Sequence, residues 1–111
     1  MAAPNKFEIA QSEDGDAVVL SVTGELDMNT VEVLSESVQQ RLDAGAMSLL
    51  IDLSSLGFMD SSGLRLLIAL TGRAREEAWA LRLRAPRQQA AAMVLRATGA
   101  DTALPFDGDH P

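Results

Sequence analysis

Hydrophobic and polar positions change their spacing several times along the chain, and each change marks an element. The stretches "FEIAQ" and "AVVLSVT" flank the polar, glycine-containing residues 12–16, a pattern that predicts two strands joined as a hairpin. The segment "GELD" ends the second strand. "MSLLIDL" is a short continuous apolar run, typical of a central strand covered by helices. "WALRLRA" alternates apolar and basic residues and predicts a half-exposed strand.

A first helix is predicted between the second and third strands. Its apolar side chains recur at helical spacing at Val31, Leu34, Val38 and Leu42. Asn29 and Glu32 have the spacing of a capping box, and Gly45 is the predicted stop.

Two more helices follow from capping signals. Asp60, Ser61 and Ser62 are all good N-cap residues, and they precede an apolar segment that runs to about residue 77. Pro86 at a first-turn position predicts the start of a third helix, which Gly99 stops.

Strands that alternate with helices of this length indicate an α/β domain with parallel crossovers. A last short strand is expected near residues 104–106, followed by a polar tail at 107–111. The 111 residues show no repeat or linker, and they are long enough for one sizeable core. We therefore expect a single domain over residues 1–111, with its core at about 7–106.

Charge is unevenly divided within a net of −7. Residues 1–60 hold eleven acidic residues and two basic ones, whereas residues 61–111 hold five acidic residues and seven arginines. An acidic protein repels phosphate backbones and anionic lipid, so neither nucleic acid nor a membrane surface is an expected partner. The longest strongly apolar run is too short to cross a bilayer, and no secretory signal follows Met1, so the expected location is the cytoplasm.

The usual catalytic and ligand-binding patterns are missing. The chain has no cysteine, its one histidine is His110 in the tail, and it lacks both the G-x-S-x-G and the P-loop patterns. Asp27, Asp52 and Asp60 are too few and too separated to predict a metal site. Gly24, Gly57 and Gly63 are interpreted as turn and cap residues. No catalytic residue, metal or cofactor is therefore predicted.

Two motifs do carry a specific signal: "TGELD" at 23–27 and "IDLSSLGFMDSSGL" at 51–64. With the order of elements around them, they resemble the STAS family of anti-sigma factor antagonists, and the resemblance extends from about residue 7 to residue 106. It implies a single mixed β-sheet of four to five strands, with helices packed largely on one face.

The resemblance also implies a binding module in place of an enzyme. Its partner would be an anti-sigma factor that is itself a histidine-kinase-like serine kinase, and a PP2C-type phosphatase would reverse the modification. ATP would belong to that partner. The phosphorylated residue would be Ser61, and the face that meets the partner would comprise Gly24, Glu25, Leu26, Asp27, Asp60, Ser61, Ser62 and Gly63.

Arg65 departs from the commoner "DSSGLG" pattern, in which a second glycine often stands at this position. On a helix that begins at Ser61, Arg65 lies one turn on, either as part of the same partner-binding face or as a simply solvated side chain. The family also includes scaffold and lipid-transport accessory proteins. They act by protein–protein contact, often without the phosphorylation switch, and this alternative stays open.

Overall fold

The computed structural model describes residues 6–107, and within this range the chain forms five strands and four helices. In chain order these are β1 (Glu8–Asp14), β2 (Ala17–Leu26), α1 (Val31–Asp43), β3 (Ser48–Asp52), β4 (Leu56–Met59), α2 (Ser61–Glu77), β5 (Ala80–Arg84), α3 (Gln89–Thr98) and α4 (Ala100–Ala103). The predicted mixed α/β class is confirmed.

The sheet has the strand order β1-β2-β3-β5 and is mixed. β1 and β2 form the predicted antiparallel hairpin, joined by Gly15 and Asp16, and Gly15 takes a φ of +63° that the tight turn requires. β2 pairs with β3 and β3 with β5 in parallel. β3 is thus the central strand that its apolar run predicts.

The core lies on the face of the sheet that the helices cover. Alternate side chains of β2, β3 and β5 belong to one buried cluster with side chains of all four helices. The sheet contributes Leu20, Val22, Leu49, Ile51, Leu81 and Leu83, and the helices contribute Leu34, Val38, Leu64, Leu67, Leu70, Ala74, Ala91, Leu95 and Ala100. The predicted one-sided packing of the helices is confirmed.

Strand β4 is absent from the sequence-based prediction. It has four residues, and Gly57, interpreted as a turn or cap residue, lies inside it. After β3 the chain makes a short turn, in which the Leu56 amide donates to the Leu53 carbonyl, and then runs on as β4 beside the end of β2. Because pairing with β2 creates this strand, local sequence preference does not reveal it.

An aspartate at the end of β3 organises this turn. The Asp52 carboxylate accepts a hydrogen bond from the Ser54 amide at 2.9 Å and one from Arg84 on β5 at 3.1 Å. Burial pushes the pKa of Asp52 upward, but these hydrogen bonds and the Arg84 charge outweigh it and hold the pKa below its ordinary value. The carboxylate is therefore charged at neutral pH and fixes the chain direction into β4.

Two predicted helix starts are wrong, while the predicted ends hold. Thr30, not Asn29, is the N-cap of α1. Its hydroxyl donates a hydrogen bond to the Glu25 carbonyl in the preceding segment and accepts none from the helix amides. Pro86 lies outside α3, which begins three residues later, so it belongs to the connection from β5. Gly45 and Gly99 both take positive φ values just beyond α1 and α3, as their predicted roles as stops require.

The predicted last strand is reduced to one parallel bridge between Phe106 and Leu83. The next residue, Asp107, donates its amide to the Leu83 carbonyl at 2.7 Å and pairs with Arg82, so the first residue of the predicted tail is tied to β5. The rest of that tail, with His110, lies outside the described residues. Among residues 6–107, no helix combines the length and the apolar character that a membrane crossing needs.

Candidate functional site

The two sequence motifs lie side by side because β4 pairs in parallel with the end of β2. Glu25 is the register partner of Phe58, and Leu26 is the partner of Met59. One residue further on, the Asp60 amide donates to the Leu26 carbonyl at 3.2 Å. The "GELD" segment and the start of α2 therefore form one continuous surface region.

Of the three N-cap candidates Asp60, Ser61 and Ser62, the structure places Asp60 at the N-cap of α2. Its Oδ1 accepts hydrogen bonds from the amides of Ser62, at 2.8 Å, and Gly63, at 3.3 Å. Ser61, the first residue of the helix, is exposed, whereas Ser62 is half-buried. The carboxylate of Asp60 thus has a structural task, and the Ser61 hydroxyl is presented to solvent.

Gly63 permits a close approach between α2 and the strands beneath it. A Cβ at this position would lie 2.7 Å from Cγ of Met59 and 3.0 Å from both Cγ and the carbonyl oxygen of Leu26. Leu26 itself is fully buried. Of the residues that the resemblance places on the binding face, Leu26 and Gly63 therefore support the face from below.

Gly24 has a second, independent constraint. Its φ is +95°, and a Cβ would lie 2.7 Å from Cα of Phe7 and 2.8 Å from the carbonyl oxygen of Lys6. The pairing register with β4 shifts between Gly24 and Glu25. Gly24 is thus a bulge inside β2, not a turn residue, and it lets the strand leave β3 and continue beside β4.

Hydrogen bonds within the loop fix the segment from Asp27 to Thr30. Oδ1 of Asp27 accepts from the Asn29 amide at 2.9 Å. The Thr30 hydroxyl donates to the Glu25 carbonyl at 2.8 Å and accepts from the Asp27 amide at 3.0 Å. Like Asp60, Asp27 holds backbone in place, while Glu25 projects an exposed side chain.

A shallow groove of about 390 Å³ separates the first turns of α1 and α2. Its lining residues are Met28, Val31, Glu32, Ser35, Ser62, Arg65 and Leu66. Met28 is 74% exposed, and Phe58 on β4 is 40% exposed. Sequence reasoning missed both, although each is a large apolar residue within or directly after a motif, which is a usable signal. The site thus combines apolar contact area with acidic groups.

In the part of the chain that the structure describes, no three acidic or histidine side chains lie close enough together to hold a metal ion. Asp27, Asp52 and Asp60 instead each accept hydrogen bonds from backbone within three residues. The site therefore presents the Ser61 hydroxyl at the start of α2, with exposed side chains around it that can contact another protein.

Comparison with known proteins agrees with this arrangement. The family model described as "Mlab, STAS domain" matches residues 9–105. The chain belongs to the STAS domain family. The match spans all of the elements named above except the first residue of β1.

Among curated proteins, the chain is similar to the anti-sigma-F factor antagonist RsfB of Mycobacterium tuberculosis. The two are 33% identical over 69 residues, which is 62% of this chain and 57% of the relative. The aligned part thus spans little more than half the length of that protein.

Two solved structures have a similar fold. An anti-sigma factor antagonist from Mycobacterium paratuberculosis superposes with a TM-score of 0.80 at 27% identity, covering 97% of this chain and 91% of that one. The Bacillus cell fate determinant SpoIIAA in its phosphorylated form gives a TM-score of 0.63 at 23% identity, with coverage of 94% and 93%. At 23% identity, the similarity to SpoIIAA supports a shared fold only.

The close approach at Gly63 generates a stability prediction for this STAS domain. Gly63→Ala is expected to destabilise the fold by about 1–3 kcal/mol, because the added methyl group overpacks against Met59 and Leu26. Gly72→Ala on the same helix is the matched control, since nothing lies within 4 Å of a Cβ there. Gly72→Ala should instead stabilise by up to about 1 kcal/mol through helix propensity. Urea denaturation of both variants checks this, and equal behaviour would contradict the packing role of Gly63.

Proposed function

We propose that the chain is an anti-sigma factor antagonist that binds an anti-sigma factor with serine kinase activity and so frees the sigma factor. Phosphorylation of Ser61 switches the antagonist off. The observation that carries this proposal is the placement of Ser61: its side chain is exposed on the first residue of α2, directly beside the loop that follows β2. A kinase that docks on this loop and on the groove reaches the hydroxyl without any unfolding.

The modification is a transfer of the γ-phosphoryl group from ATP bound by the partner. A bond forms between phosphorus and Oγ of Ser61, the bond from phosphorus to the ADP oxygen breaks, and the hydroxyl proton leaves to a base on the kinase. Ser62 is the poorer acceptor because it is half-buried and lines the groove. The chain itself contributes the acceptor and no catalytic group, so it is a regulator and not an enzyme.

The phosphate disturbs the binding face through charge. It adds about 1.5 to 2 negative charges at pH 7 directly after the Asp60 cap, on a helix start that follows a strand paired with the exposed Glu25. The Ser62 and Gly63 amides already bind Asp60, so the helix start does not neutralise the new charge with these donors. A partner surface that fits the acidic face of the unmodified protein is then repelled. The fold is retained because the modified side chain packs against nothing in the core.

A second candidate is the role of a transport accessory protein that acts by protein contact without the switch. The match of residues 9–105 to the "Mlab, STAS domain" family model keeps this candidate open. Ser61 in an exposed position favours the antagonist. A pull-down with the chain as bait separates the two: an anti-sigma kinase among the captured proteins supports the antagonist, and transporter subunits alone support the accessory role.

The first functional prediction concerns which serine is modified. After reaction with the partner kinase and ATP, mass spectrometry is expected to find phosphate on Ser61. Ser61→Ala should abolish labelling because the exposed acceptor is gone, and Ser62→Ala should only reduce it. Labelling that persists in Ser61→Ala would contradict the assignment of Ser61 as the phosphorylated residue.

The second functional prediction separates charge from unfolding. Phosphorylated protein should keep its circular dichroism and its melting temperature within a few degrees, while its affinity for the partner falls about a hundredfold or more. Ser61→Asp should reproduce part of the loss, because a carboxylate carries less charge and fewer acceptor oxygens than a phosphate. A large drop in melting temperature that accompanies the lost binding would show that the switch acts by unfolding.

A further inference from the structure

Arg65 is an unusual feature of this surface. It stands where the family pattern often has glycine, it is exposed, and it is the one basic residue lining the groove among the described residues. Three other arginines in residues 6–107 form ion pairs, Arg73 with Glu77, Arg82 with Asp107 and Arg84 with Asp52. No such ion pair involves Arg65 in this part of the chain.

The groups that surround the start of α2 are otherwise acidic. Asp60 occupies the cap, Glu25 lies at the end of β2, Asp27 lies in the loop, and Glu32 faces the groove from α1. A phosphate on Ser61 therefore enters a negative environment in which Asp60 already holds the nearest helix amides. Such a dianion needs a cation, and Arg65 is the one that the helix supplies one turn away.

We propose that Arg65 is a positioning residue for the phosphate: its guanidinium binds phosphorylated Ser61 across one helical turn and leaves the groove. This inference rests on the proposed phosphorylation of Ser61. It assigns a regulatory role to a side chain that has no part in the transfer itself.

Helix geometry supports the pairing. Residues four apart lie on the same face with Cβ atoms about 5–6 Å apart, and an acidic group N-terminal to a basic one is the favourable order. A guanidinium can donate two parallel hydrogen bonds to phosphate oxygens, a geometry that a lysine ammonium does not offer. Ser61 and Arg65 have both the spacing and the order.

The pairing adds to the effect of the new charge on the partner. In the unmodified protein Arg65 lines the groove with Glu32 and the apolar Val31 and Leu66. When the Arg65 guanidinium binds the phosphate, it no longer lines the groove. A carboxylate of the partner that paired with Arg65 in the groove then loses its counterion on phosphorylation. The switch then has two components on the same helix turn, and the phosphate is held in place at the helix start.

Phosphorus NMR tests the pairing without any partner protein. Phosphoserine is encoded at position 61 of the full chain, and the second pKa of the phosphate is measured by titration. Arg65→Gln should raise this pKa by roughly 0.3 to 1 unit, because the nearby cation stabilises the dianion. Arg65→Lys should restore part of the shift, since it keeps the charge but not the bidentate geometry.

Arg75→Gln is the matched control, because it removes the same charge from an exposed position on α2 that lies 14 residues, or about 21 Å, beyond Ser61. At about 0.1 M ionic strength, the low-salt condition of the test, that distance exceeds the Debye length of about 10 Å, so the phosphate pKa should not change. The difference between wild type and Arg65→Gln should shrink in about 1 M salt. Identical titrations of wild type and Arg65→Gln at low salt would overturn the inference.

Failure of the proposed function would look different. If phosphoserine at position 61 left partner affinity unchanged, the switch itself would be wrong, even with a normal Arg65 effect on the phosphate. If affinity fell while Arg65→Gln left the pKa unmoved, the switch would stand and the role of Arg65 would be rejected.

Discussion

The contact between the first turn of α2 and the end of β2 is the constraint on which the site depends. The Leu26 carbonyl accepts a hydrogen bond from the Asp60 amide at 3.2 Å. The helix lies so close to Leu26 that position 63 has no room for a Cβ. Because Leu26 is fully buried, this contact is anchored in the core. Two segments more than thirty residues apart in sequence are thereby held as one surface. The loop at residues 27–30 and the exposed Ser61 are therefore both anchored to the core.

This arrangement shows how a short helix-capping sequence could also carry the proposed phosphorylation site. Within "DSSG", the aspartate satisfies the free amides and the glycine permits close packing, so the helix start is stable without the side chain of Ser61. That side chain is exposed, and the proposed function assigns the phosphate to it. The same division holds in the preceding loop, where Asp27 fixes the backbone and Met28 is exposed. Side chains that hold the backbone and side chains that face solvent thus belong to neighbouring residues.

Local patterns predicted the hairpin, the central strand β3 and the start of α2 to within residues 60–62, because each depends on spacing or on a cap that lies within a few residues. They failed for β4, which exists only through its pairing with β2, and for the cap at Asn29, because the Thr30 hydroxyl is committed to the loop. Family resemblance pointed to Ser61 and its neighbours. It did not distinguish exposed residues from supporting ones such as Leu26, since that distinction depends on burial in the assembled core.

The most direct test of the account is hydrogen–deuterium exchange of the unmodified chain with and without the proposed anti-sigma factor partner. The account predicts that the partner slows exchange in the loop at 27–30 and in the first turns of α1 and α2, while the outer face of α3 around Met93 is unchanged. The chain carrying phosphate on Ser61 should show no such protection at the same protein concentrations. Protection centred on α3, or equal protection of the two forms, would contradict the central claim that the start of α2 is the switchable binding face.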